Sequence, residues 1–120
     1  MSNPSRTVNI KTNVVKRILK DVEVAHIDIQ DAKERVQARI DNQEDEHEIE
    51  HQKFVLKQHL RALPDALRRL QQASDDLQSI VDNPVYEGLP ELESAKPVLE
   101  SAKEILQKEQ SSNAPKNGHA

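Results

Sequence analysis

The chain contains no cysteine and no tryptophan, only two glycines, and aromatic residues at just 2% of its 120 positions. Without cysteine, disulfides and thiolate metal sites are excluded. With so little glycine, the tight turns that join antiparallel strands cannot be supplied repeatedly, which argues against sheets. Long apolar runs are missing too. Nothing approaches the roughly 20 residues that cross a bilayer, and the opening MSNPSRTVNI has no hydrophobic signal core. An intracellular, cytoplasmic protein is therefore expected.

Charge is plentiful: 32% of residues are charged, against 35% hydrophobic. A chain of this length is expected to form one domain, with room for three helices and little else. So few apolar residues cannot fill a broad core. A narrow seam between long helices needs the least buried material, and disorder is the rival reading. The formal net charge of −4 supplies no electrostatic reason to expect nucleic acid as partner.

Periodicity decides for helices. In a first segment from about Thr12 to Asp41, Val15, Val22, Ile29 and Val36 recur every seven residues, with Ile18, Ala25 and Ala32 three positions behind. Leu19 and Ile40 widen this stripe, Thr12 or Asn13 is the expected cap, and residues 1–11 are expected to be an N-terminal extension. A second segment, about Glu44 to Asp82, carries the clearest pattern: Ile49, Leu56, Leu63, Leu70 and Leu77 form an unbroken heptad. Ala66, Ala73 and Ile80 occupy the partner position, and Leu60, Leu67 and Val81 the neighbouring one. Pro64 removes one backbone donor but leaves the heptad in phase, which predicts one helix bent there rather than two.

The acidic stretch 42–50 (NQEDEHEIE) reads as the solvated tip of a helical hairpin. A turn centred near Gln43 puts residue i of the first helix level with about residue 86 − i of the second, so Arg17 is expected level with Arg69. Residues 83–90 (NPVYEGLP) form a second turn. A third helix, 91–108, follows on Leu92, Leu99 and Leu106, with its first turns expected to be irregular at Pro97. The expected fold is all-α: an antiparallel, coiled-coil-like, spectrin-like three-helix bundle over residues 12–110. Its shorter third helix covers one end of the hairpin, and residues 111–120 are expected to be a disordered tail.

His47-Glu48-Ile49-Glu50-His51 spells H-E-x-x-H, the zinc-protease helix motif, in which two imidazoles hold the metal beside a glutamate base. That chemistry also needs a third ligand and an enclosing cleft. Here the flanks are simply charged, so solvated histidines at an acidic helix start are the expected reading, and zinc binding by the pair would be adventitious. No Gly-rich phosphate loop and no serine with a nearby base appear. No enzyme activity, cofactor, metal or small-molecule substrate is expected, and no membrane partner.

A protein partner is expected instead. Lys16, Arg17 and Lys20 crowd the first helix, and Arg61, Arg68 and Arg69 the second, giving a basic zone on an acidic chain. Val24 and Ile27 fall off the seam beside Lys20, and Phe54 shares an outward stripe with Arg61 and Arg68. Solvated faces explain such patterns often. Apolar residues ringed by cations are nonetheless where a contact with an acidic partner surface is best sought.

Three segments add a resemblance. Residues 10–21 (IKTNVVKRILKD) resemble the opening helix signature of the tubulin-binding cofactor A family. Residues 63–83 (LPDALRRLQQASDDLQSIVDN) resemble that family's second helix, and residues 95–103 (AKPVLESAK) its third. They cover a little over a third of the chain, in family order. The resemblance implies a three-helix antiparallel bundle, a tubulin-folding chaperone that captures β-tubulin after chaperonin release and holds it for heterodimer assembly. It also implies that neither nucleotide nor metal is needed, and that the protein acts in the cytoplasm in association with the cytoskeleton. The reading from another class is a structural coiled-coil adaptor or oligomerisation module, in which the seam itself makes a homodimer or binds an unrelated protein.

Overall fold

The computed structural model describes residues 3–112. Three helices account for most of it: α1 (Pro4–Asp41), α2 (Glu46–Val81) and α3 (Glu91–Ser112), with one 3-10 turn at Pro84–Tyr86. Among the described residues there is no strand. The residues expected to form the tail lie, from 113 onward, outside the described part.

The first helix starts eight residues before the expected Thr12. The Asn3 side chain accepts from the Arg6 N–H at 3.2 Å, and the Asn3 carbonyl accepts the first helical bond, from Thr7 N. Pro4 then sits at the first helical position, where its missing N–H is no loss. Thr12, expected as the cap, is buried within the helix, and its hydroxyl donates to the Val8 carbonyl at 2.7 Å. Val8 extends the heptad of Val15 and Val22 back by one repeat and is fully buried.

α1 ends in a left-handed residue at Gln43, φ 52°. Glu44 N–H donates to Arg39 O and Gln43 N–H to Ile40 O, the paired bonds of a Schellman ending. The two positions that usually carry a hydrophobic contact across this motif, Arg39 and Glu44, instead make a 2.9 Å ion pair. The linker is therefore short, residues 42–45, and most of the acidic stretch belongs to the first turns of α2, where Glu46 and Glu48 complement the helix dipole.

Two compact units divide the chain. The first contains residues 3–19 and 69–112, and the second Lys20–Arg68. In the first unit three helical segments share a core. Val8, Val15 and Ile18 come from α1, Leu70, Ala73 and Leu77 from α2, and Leu92, Ala95, Leu99 and Ala102 from α3, all buried. Each fully buried Leu or Val among them contributes about 1.5–3 kcal/mol. The second unit is a two-helix hairpin. Asp28 Oδ2 lies 4.0 Å from His59 Nδ1, one residue from the expected level of 28 with 58. Val22, Ala25, Ile29, Ala32 and Ala66 are buried, but the heptad residues Ile49, Leu56 and Leu63 are only half-buried. A seam with one partner helix is open on both flanks. For the same reason Leu60 and Ile40, expected to widen the seam, stand 45% and 43% exposed.

Both internal prolines lie within unbroken helix, Pro64 in α2 and Pro97 in α3. The irregular first turns expected of α3 are absent. Pro97 points to solvent, so its ring displaces nothing in the core, and the preceding turn is held by the Lys96–Glu93 pair at 3.3 Å. The second turn is set by Asn83, whose side chain accepts from Val85 N at 3.0 Å, and by Gly88 at φ +84°.

Candidate functional site

The nine residues expected to meet a partner are all exposed or well exposed, and they distribute over the two units. In the hairpin unit, Lys20, Val24 and Ile27 follow one another at i, i+4 and i+7 on the outer face of α1. Val24 is 42% and Ile27 51% exposed, although both are aliphatic. On α2, Phe54, Arg61 and Arg68 recur at sevens, which puts them on one outward stripe, and Phe54 is 58% exposed. The register set by Asp28 and His59 places Ile27 level with Leu60 rather than with Phe54. Leu60 is therefore an exposed apolar residue at the height of Ile27. Sequence reading assigned it to the seam because its spacing satisfies the heptad equally well.

In the three-segment unit lie Lys16, Arg17 and Arg69, all exposed. The structure brings Lys16 and Arg17 together on α1 by adjacency alone.

The cations differ in how far they are compensated. Lys20 is paired with Glu23 at 3.1 Å and Arg68 with Asp65 at 3.3 Å, each three residues along its own helix. Such exposed pairs are worth at most about 1 kcal/mol, but they place a carboxylate beside the charge and weaken its outward field. Lys16, Arg17 and Arg61 have no carboxylate within ion-pair distance among the described residues. Lys16 and Arg17 belong to the three-segment unit and Arg61 to the hairpin unit, so each unit presents cations of its own without a neighbouring carboxylate.

The H-E-x-x-H histidines, His47 and His51, are both exposed on the first turns of α2. Among the described residues no three His, Asp or Glu side chains converge on a possible metal position. A cleft of about 530 Å³ opens at the second turn within the three-segment unit. It is lined by the apolar Val81, Leu89 and Leu92 and the charged Asp82, Glu87, Glu93 and Lys96, with no histidine, serine or threonine. Among the described residues, no helix is long and apolar enough to cross a membrane.

The outward side of the first three turns of α1 was not legible as one face, because a helix expected to begin at Thr12 leaves Ile10 outside it and Val14 isolated in its first turn. Ile10 is 49% and Val14 37% exposed. The available signals were the Asn3-Pro4 start and the heptad running back to Val8.

Comparison with known proteins agrees with this architecture. The family model described as tubulin binding cofactor A matches residues 3–106. A curated relative from Schizosaccharomyces pombe, tubulin-specific chaperone A, is 64% identical over 119 residues, covering 99% of each chain. The human protein of the same name is 31% identical over 84 residues, 69% of this chain and 78% of its own. Among solved structures, tubulin folding cofactor A from Arabidopsis thaliana superposes with a TM-score of 0.77 at 25% identity, covering 84% of this chain and 96% of that one. Human tubulin chaperone cofactor A gives 0.71 at 29% identity, with 84% and 99% covered. A family match over 104 of the chain's 120 residues, joined to helical structures of the same kind, leaves one assignment: the chain belongs to the tubulin binding cofactor A family.

Proposed function

We propose that this chain is a tubulin-folding chaperone that captures β-tubulin and holds it, without covalent chemistry, for assembly into the αβ heterodimer. The observation that carries the reading is the near-complete match to a curated relative named tubulin-specific chaperone A. Support from the molecule itself is the set of uncompensated cations, Lys16, Arg17 and Arg61, and the exposed aliphatic and aromatic side chains Val24, Ile27 and Phe54. On this reading the cations steer association with an acidic client and fix its register, while the apolar residues supply contact that loses water on binding. Binding needs neither metal nor nucleotide, and it takes place in the cytoplasm, in association with the cytoskeleton.

The test is to mix the full chain with β-tubulin and, separately, with α-tubulin, and to resolve complexes by native electrophoresis or sedimentation. A complex with β-tubulin alone is the expected result. A complex with α-tubulin alone, or with neither, removes the reading. Arg61→Glu is expected to weaken capture more than the compensated Arg68→Glu, at unchanged helicity.

A homodimer is a second reading, favoured by the half-buried Ile49, Leu56 and Leu63 and the exposed Leu60 of the hairpin unit. Sedimentation of the protein alone decides it. A monomer at micromolar concentration excludes it, and a dimer dissociated by Leu60→Gln supports it.

A further inference from the structure

Arg6, Ile10, Val14 and Arg17 follow one another on α1 at spacings of four, four and three. At 100° per residue they fall within an arc of about 80°, spanning three turns and about 16 Å. All four are exposed, and Val8, Thr12, Val15 and Ile18 bury the other side of the same turns. The segment thus has a second, outward stripe, two aliphatic side chains bracketed by two arginines. Neither arginine side chain has an ion-pair partner among the described residues.

The charge here runs against what the helix itself favours. From residue 3 to residue 19 there are four cations, Arg6, Lys11, Lys16 and Arg17, and no aspartate or glutamate, in a chain whose net charge is −4. The first turn contains no acid. The N-terminal end of a helix dipole favours negative charge. With Asn3 as cap and Pro4 as first helical residue, Arg6 also occupies the third position, where a glutamate would close a capping box. Local helix stability accounts for neither the cations nor the exposed aliphatics between them.

We infer that this stripe is a docking surface for an acidic helix of the captured client, one presenting two apolar side chains a turn apart with carboxylates a turn beyond each. The inference rests on the proposed role in tubulin capture and extends it from Arg17, considered there, to Arg6, Ile10 and Val14, which were not. Charge decides the occupant. A second copy meeting this face with its own would set arginine against arginine, with no carboxylate in residues 3–19 to relieve it. A lipid surface would gain little from two aliphatic side chains and no aromatic. Helix ridges pack into helix grooves, and no strand edge exists among the described residues to take up an extended peptide.

The experiment uses the full chain and purified β-tubulin, with Ile10→Gln and Val14→Gln combined in one variant and Arg6→Glu in another. Glutamine forms exposed helix at least as well as isoleucine or valine, so helicity and melting temperature should hold in the first variant. Its affinity for β-tubulin should fall at least about tenfold, the scale of losing a central apolar anchor. Arg6→Glu should weaken binding while leaving the melting temperature equal or higher, a pair of signs that a structural role would not produce. Equal binding by the folded double variant overturns this surface and leaves the proposed function standing. No complex with the unmodified protein overturns both. Binding of the unmodified chain to phosphatidylserine vesicles, lost in the double variant while tubulin binding persists, would assign the stripe to lipid and overturn it too.

Discussion

Gln43 shows how one residue can carry a conformational cost in plain view. Its φ of 52° lies in the left-handed region, where an L side chain is disfavoured by about 1–2 kcal/mol. Both Schellman bonds depend on that conformation. Gln43→Gly is expected to raise stability by about 0.5–1 kcal/mol, the glycine's extra freedom in the unfolded chain taking back part of the gain. A urea midpoint that does not rise would mean the strain is relieved elsewhere. Gly88 is the converse case. An added Cβ there meets nothing within 4 Å, so Gly88→Ala should cost only the backbone penalty, about 1–2 kcal/mol. Ser74 is a different kind of cost. It is buried, and its hydroxyl has no hydrogen-bond partner among the described residues, whereas the buried Thr12 hydroxyl bonds to Val8. Ser74→Ala removes an orphaned polar atom and improves helix propensity, so thermal unfolding should move upward by the equivalent of about 1 kcal/mol.

At the scale of the element, Pro97 is the informative case. It sits in the seventh position of α3, beyond the first turn where proline is neutral, and removes the N–H that would bond to Glu93 O. Because it faces solvent, replacing it leaves the core untouched. Pro97→Ala should therefore stabilise the protein by up to about 3 kcal/mol in chemical denaturation. A loss of stability would show that the proline holds α3 in a packing alanine does not reproduce. The helices themselves were legible in the sequence because a seven-residue apolar repeat has only one reading in a chain this polar. The heptad from Ile49 to Leu77 lies within α2, which runs through Pro64. Boundaries were harder. Thr12 imitates a cap in sequence, since the same hydroxyl that caps a helix also bonds backward to a carbonyl inside one. Leu60 and Ile40 satisfied the spacing of the seam without being covered, because spacing gives angle around a helix and not the number of helices that face it.

For the molecule as a whole, that number decides what each leucine of the heptad is worth. Which surface residues could meet a partner was partly visible in the sequence, as cations and apolar residues off the seam. Their compensation was not, because pairs such as Lys20–Glu23 and Arg68–Asp65 depend on rotamers that sequence does not specify. The same limit hid the difference between the two units. Leu77 is packed by segments of three helices and is 0% exposed, whereas Leu56, two-helix seam on either side of it, is half-buried. Truncating a fully enclosed leucine loses both its transfer energy and the contacts around the cavity, about 3–5 kcal/mol, so Leu77→Ala should remove a large fraction of a total stability of roughly 5–15 kcal/mol. Leu56→Ala loses less apolar area, and its flanks can close, so a cost of about 1–2 kcal/mol is expected. The two variants carry identical chemistry on one helix at equivalent heptad positions. Equal destabilisation in urea would show that the hairpin's open flank is covered in solution, which is the outcome a homodimer through the hairpin unit would give. In that case the cost of Leu56→Ala should shrink on dilution, while that of Leu77→Ala should not.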